Sequence, residues 1–127
     1  GESDIYGFAG ITGDFSPNHV NDQYMKSSSY GQRIAHGALM VGYMSTTSTM
    51  MIDKTLKPDR KETPVSAGYD RIRFTGAVYI NDTISVTYRI TSIELERRRS
   101  RAKIEVTNQA GDIVAVGEHI LQWVPNE

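Results

Sequence analysis

The sequence predicts an α+β domain in which an antiparallel sheet curls around one buried helix. Three observations carry this. The first half holds short helical patterns and then a long apolar stretch from Gly37 to about Ile52. The second half switches to apolar residues at alternate positions, the period of a half-buried strand. Between the halves, Asp53 to Pro64 is charged, holds two prolines and has no period, which predicts an exposed loop.

The first helix is expected near Ser3 or Asp4, either of which can cap it. Ile5, Phe8, Ala9 and Thr12 recur at helical spacing, and Gly13 marks the end. Gly13-Asp14-Phe15-Ser16-Pro17-Asn18-His19 then reads as a turn crowded with residues that disfavour regular structure. Asn21 or Asp22 can cap a second short helix through Met25. From Gly37 onward apolar residues fall on nearly every face, so this helix should be buried, and it is too short to be a membrane span. Strands are expected over Tyr69 to Phe74, Ile84 to Ile90, Arg101 to Asn108 and Ile113 to Val124. Asn81-Asp82 turns between the first two, which makes the second half an antiparallel meander.

Composition narrows the function. A chain of 127 residues with 39% apolar and 23% charged residues suits one globular domain, residues 1–127, with its own core. Lys and Arg number 14 against 15 Asp and Glu, so no global field draws the chain to nucleic acid or an anionic membrane. Any anionic ligand must be gripped locally. Cysteine is absent, which excludes disulfides, thiolate metal sites and cysteine nucleophiles. A reducing, cytoplasmic setting is expected, since neither a signal peptide nor a spanning segment is visible.

Gly13-Asp14-Phe15-Ser16-Pro17-Asn18-His19 resembles the Gly-Asp-x-Asn-Pro-x-His motif of the MaoC-like, or hydratase 2, branch of the hot-dog fold. Ile34-Ala35-His36-Gly37 is similar to that family's Ile/Val-x-His-Gly lead into the central helix, and Ser45 falls where the family has a helix serine. Two motifs in the right order, followed by a strand-rich half, are far more specific than either alone. Ser16 replaces the motif's Asn, and Asn21 stands where many members carry Asp. The family's first strand has no counterpart before Ile5, which implies a segment removed or not included.

The resemblance implies a single hot-dog domain that hydrates a 2-enoyl-CoA to an (R)-3-hydroxyacyl-CoA, or runs the reverse dehydration, in fatty acid metabolism. No cofactor is expected; the coenzyme A thioester is the substrate. Asp14 is then the principal base and acid, and His19 orients and polarises the water. Ser45 supports this dyad, His36 holds the loop, and two protomers join their sheets as a homodimer or higher homo-oligomer. The reaction needs a base for water, a proton for the α-carbon and a donor for the thioester oxygen. Gly37 meets the third need, because the first amide of a helix points outward with the helix dipole behind it, and a side chain there would obstruct the approach.

Each of these residues also has a plainer use. Aspartate caps helices, and Ser45 can bond back to its own helix. Met40, Met44, Met50 and Met51 of the long helix could line an acyl pocket but fit an ordinary core as well. Glu96-Arg97-Arg98-Arg99-Ser100-Arg101 suits either coenzyme A phosphates or a solvated hairpin end, and Arg71 or Arg73 on an earlier strand could supply the phosphate site instead. Two other functions compete: a hot-dog acyl-CoA thioesterase, against which the paired Asp14 and His19 argue, and a non-catalytic acyl-thioester-binding or dimerisation module.

Overall fold

The computed structural model describes residues 1–127. Four helices precede four strands: α1 (Glu2–Thr12), α2 (Pro17–Val20), α3 (Asp22–Lys26), α4 (Gly37–Thr55), β1 (Glu62–Phe74), β2 (Ser85–Glu94), β3 (Arg99–Thr107) and β4 (Ile113–Pro125). The strands form one antiparallel sheet in the order β1-β4-β3-β2. Only β2, β3 and β4 therefore make a meander. β1 lies across the sheet from β2, so the expected β1–β2 neighbourhood is corrected: the connection through Asn81-Asp82 crosses the sheet instead of forming a hairpin. The local turn is as expected, with Asn81 at φ 72 and the Tyr79 amide donating to the Asp82 carboxylate at 2.9 Å.

Element ends differ from expectation for local reasons. α1 begins at Glu2, and Asp4 lies inside it, where its carboxylate binds the Gly1 amine at 2.6 Å. The stretch Asp14 to His19 is not all turn: Pro17, with its fixed φ and missing N–H, opens a single helical turn, α2, that carries His19. Asn21 caps α3 by accepting from the Tyr24 amide at 2.9 Å. The loop expected over Asp53 to Pro64 shrinks at both ends, because α4 runs to Thr55 and β1 starts at Glu62. Edge position lets β1 accommodate Pro64, which has no amide to donate.

The core sits between α4 and the sheet. Met40 and Met44 pack against Val78, Ile104, Val106, Val114 and Ala115. Full burial of such side chains stabilises by about 1.5–3 kcal/mol each before entropy is subtracted. Met40, Met44 and Ser48 are the buried residues of α4. Its burial is thus on the sheet side, while Ala38, Gly42, Ser45 and Thr49 face outward.

β1 carries bulges between Ser66 and Gly68 and between Asp70 and Arg73. At the second, Arg71 adopts φ 54, a left-handed conformation uncommon outside glycine. A bulge bends and twists its strand. This one lies just before Phe74, which reaches the start of α4.

Candidate active site

The site is built on the loop between α1 and α2. Gly13 ends α1 in the left-handed region (φ 81), and its amide donates to Ala9 at 2.8 Å. That reversal presents Asp14 to solvent. The Asp14 amide donates to Thr12 Oγ1 at 3.2 Å, and Asp14 Oδ1 accepts the Ser16 amide at 3.2 Å. The second carboxylate oxygen is left for another partner. Ser16, in the place of the motif's Asn, supports the turn by donating its hydroxyl to Asn18 Oδ1.

His19 and His36 lie under this loop, 7% and 1% exposed. Their rings stack with centroids 3.8 Å apart and planes 26° from parallel. His19 Nδ1 lies 2.8 Å from the Ile34 carbonyl, and His36 Nε2 lies 2.9 Å from the Asp14 carbonyl. A carbonyl only accepts, so both of these nitrogens carry hydrogen. In the neutral ring this leaves a lone pair on His19 Nε2, and His36 Nδ1 is buried without a partner. His36 fastens the backbone of the residue that carries the carboxylate, the loop-holding role implied by the family motif.

Atoms of Asp14, His19 and His36 capable of binding an ion lie within 4.8 Å of one another. One water spans such a gap with two ordinary hydrogen bonds. A metal ion is less well served, because imidazole lone pairs lie in the ring plane and two nearly parallel stacked rings do not aim theirs at one point.

His19, His36 and Gly37 line a cavity of about 500 Å³ whose other walls include Met40, Phe74, Val78 and Val114. Asp14 does not line it and adjoins it through the two histidines. Gly37 is the first residue of α4, so its amide has no acceptor within the helix and can serve a ligand. A Cβ at Gly37 would stand 2.5–2.7 Å from the ring carbons of Phe74. Glycine is needed here because an aromatic ring rests on the helix start, a reason that concerns packing as well as ligand approach.

The other candidates are placed elsewhere. Ser45 is exposed, about 12 Å along α4 from Gly37. It makes no hydrogen bond to Asp14 or His19; its carbonyl accepts from Ser48 at 2.7 Å and Thr49 at 3.3 Å. Arg71 and Arg73 lie in the last residues of β1 before Phe74, outside the cavity lining, and Arg73 Nη1 donates to the Ile72 carbonyl at 2.7 Å. Arg98 is at the opposite end of the sheet, at φ 51, with both arms of its guanidinium on Glu62. One protomer therefore brings Asp14 and His19 together beside the cavity that Gly37 lines, and separates them from Ser45 and Arg98; neither Arg71 nor Arg73 lines that cavity.

Of the helix methionines that could line a pocket, Met40 does so here. Sequence reasoning missed Phe74 and Val78 as cavity residues, since no local signal tells that β1 ends over α4. It also missed a second polar cluster. His119 is fully buried, with Ser66 Oγ at 2.8 Å from Nε2 and the Tyr88 hydroxyl at 2.9 Å from Nδ1. Burial holds the His119 pKa below its ordinary value and pushes the Tyr88 phenol up to about 12. The one available signal was a histidine at an inward position of an alternating strand.

Comparison with known proteins identifies the family. The MaoC like domain family matches residues 1–113. An (R)-specific enoyl-CoA hydratase of Rhodospirillum rubrum is 33% identical over 117 residues, covering 92% of this chain and 75% of that protein. A 3-hydroxybutyryl-CoA dehydratase of Methylorubrum extorquens is 31% identical over 125 residues, covering 98% and 73%. The unliganded R-hydratase PhaJ1 of Pseudomonas aeruginosa superposes with a TM-score of 0.76 at 30% identity, covering 99% of this chain and 75% of that one. With the family matched along most of its length and the fold shared with such a structure, the chain belongs to the MaoC-like family of hot-dog proteins.

Proposed function

We propose that this protein is a lyase that reversibly hydrates a 2-enoyl-CoA to an (R)-3-hydroxyacyl-CoA. The observation that carries the reading is the meeting of Asp14 and His19 beside a cavity that Gly37, the first residue of α4, also lines. Its relatives bearing hydratase and dehydratase names support it.

Two acceptors face one water, which has two hydrogens to give. It donates one to the free oxygen of Asp14 and the other to His19 Nε2, leaving an oxygen lone pair for the β-carbon. As the new C–O bond forms, Asp14 takes the proton and charge gathers on the thioester oxygen. The Gly37 N–H, at the positive end of α4, stabilises that charge by roughly 3 kcal/mol. Asp14 then returns the proton to the α-carbon. Both elements of water arrive from one side because one residue pair handles both, and microscopic reversibility gives the dehydration. His19 orients the water as an acceptor, since its Nδ1 hydrogen is committed to Ile34.

Coenzyme A phosphates fall to Arg71 and Arg73, and no cofactor takes part. The working form in this reading is a homodimer, or a higher homo-oligomer, of the 127-residue domain. Within one protomer Ser45 and Arg98 reach neither the dyad nor Arg73, so roles for them at the dyad or the phosphates require the partner copy. No helix is long and apolar enough to cross a membrane, and we place the enzyme in the cytoplasm, in fatty acid metabolism. Incubation with crotonyl-CoA tests this: loss of the conjugated enoyl absorbance without release of thiol supports hydration, and release of thiol supports thioester hydrolysis instead.

A further inference from the structure

Arg33 stands immediately before Ile34-Ala35-His36-Gly37, the stretch that leads into α4, and its side chain is only 11% exposed. Its donors go to two other helices. Nε donates to Asp22 Oδ1 at 2.7 Å, at the start of α3. Nη1 gives one hydrogen to Glu2 Oε1 at 2.7 Å and the other to the Tyr6 hydroxyl at 2.5 Å, both on α1. An isolated surface ion pair holds little in place. Here one planar, mostly buried fork meets three acceptors at once, which fixes its own position and theirs.

These two helices bracket the loop that carries Asp14 and His19. α1 ends at Thr12, just before Gly13 and Asp14, and α3 begins at Asp22, shortly after His19. The residue that follows Arg33 touches His19 directly. The Ile34 carbonyl accepts the Nδ1 hydrogen at 2.8 Å, and the Ile34 amide donates to the Asn18 carbonyl at 3.0 Å. Between α3 and α4 the chain has no helix and a single antiparallel bridge, Ile34 to Tyr79. That bridge, with the Ala35 amide on the Val78 carbonyl at 2.8 Å, ties the stretch to the sheet side. Its side-chain tie to α1 and α3 is Arg33.

The position of the Ile34 carbonyl has a chemical consequence. It fixes the hydrogen of the neutral His19 ring on Nδ1 and so leaves the lone pair on Nε2. If the carbonyl shifts, the other tautomer becomes available, with its hydrogen on Nε2, and that ring no longer accepts from the water.

We infer that Arg33 is a positioning residue: it clamps α1 and α3 onto the lead-in to α4 and so holds the Ile34 carbonyl where it selects the water-accepting tautomer of His19. The effect on turnover rests on the hydratase reading above, whereas the effect on the tautomer does not.

The test reads both. NMR of protein carrying isotopically labelled histidine, at about pH 8 where imidazole is neutral, should place the His19 hydrogen on Nδ1 in wild type and divide it between the two nitrogens in Arg33→Ala. In crotonyl-CoA hydration, Arg33→Ala should lower kcat about tenfold and change KM by less than about twofold. Added to His19→Ala, the same substitution should lower kcat by less than about twofold further, the non-additivity expected of a residue that acts through His19. Arg33→Lys, which keeps the charge but loses the fork, should fall between wild type and Arg33→Ala. Glu2→Ala and Asp22→Ala, at exposed carboxylates, each remove one arm of the clamp; if Arg33→Ala does not fold, they should shift the tautomer in the same direction. Folded clamp variants with the wild-type tautomer, or an equal loss of kcat with and without His19, overturn the inference while leaving hydration standing. A wild type inert toward crotonyl-CoA overturns the hydratase reading, and the histidine spectra then decide the role of Arg33 by themselves.

Discussion

His36 Nε2 donates to the backbone carbonyl of Asp14 at 2.9 Å, so the residue that leads into α4 holds the loop that carries the carboxylate. His36→Ala should lower kcat by about tenfold to a hundredfold with a small change in KM, because misplacement by an ångström is enough to cost that much. His36→Gln, whose amide can donate to the same carbonyl, should recover part of the loss. An equal loss in both variants would assign the residue to packing alone.

Gly37 and Phe74 form a second coupled pair. Gly37→Ala drives a methyl into the Phe74 ring, which must swing away or push the start of α4 out of line. Turnover should fall by about a hundredfold. If the ring is the cause, Phe74→Ala added to Gly37→Ala should restore activity above that of Gly37→Ala, a non-additive cycle measured from kcat/KM. Additive losses would mean that the amide itself, not the ring, is disturbed.

His119 makes stability depend on pH. Burial lowers its folded pKa below 6.5, so the unfolded chain binds this proton more readily than the native one. The contribution is fully present above about pH 6.5 and is lost as pH falls through the folded value, with a slope of at most about 1.4 kcal/mol per pH unit. Urea midpoints between pH 7.5 and 5 should fall more steeply for wild type than for His119→Gln, and parallel curves would contradict the assignment.

Arg73→Ala should raise KM for the CoA thioester several-fold and leave kcat nearly unchanged, an effect that weakens with added salt. Arg98→Ala should instead lower stability slightly, since its charge is engaged by Glu62 at an exposed site. The comparison is read from initial rates at two ionic strengths. A KM effect confined to Arg98 would move the phosphate site to the far end of the sheet.

Much of the fold was legible because periodicity is local. The strands at Arg101 to Asn108 and Ile113 to Val124, the long helix and the turn at Asn81-Asp82 follow from patterns a few residues wide. The place of β1 was not legible, since adjacency of β1 to β4 is decided by long-range pairing such as Tyr69 with His119. The same limit hid the roof of the site: Phe74 and Val78 reach Gly37 and Met40 only through that pairing and the bulge at Arg71. The meeting of Asp14 and His19 was legible because only four residues, Phe15 to Asn18 with Pro17 among them, lie between the two. Ser45 was placed by likeness and Arg98 by its charge as a phosphate contact, and single-chain geometry brings neither to the cavity beside the dyad.

The most direct measurement is crotonyl-CoA hydration by wild type, Asp14→Asn and His19→Ala, with circular dichroism to show that all three are folded. Asp14→Asn keeps the shape but removes the base, and His19→Ala removes the second acceptor. Wild type should hydrate, and both variants should lose about a hundredfold or more in kcat. Folded variants that hydrate as fast as wild type would contradict the account, because the water would then be activated somewhere other than between these two side chains.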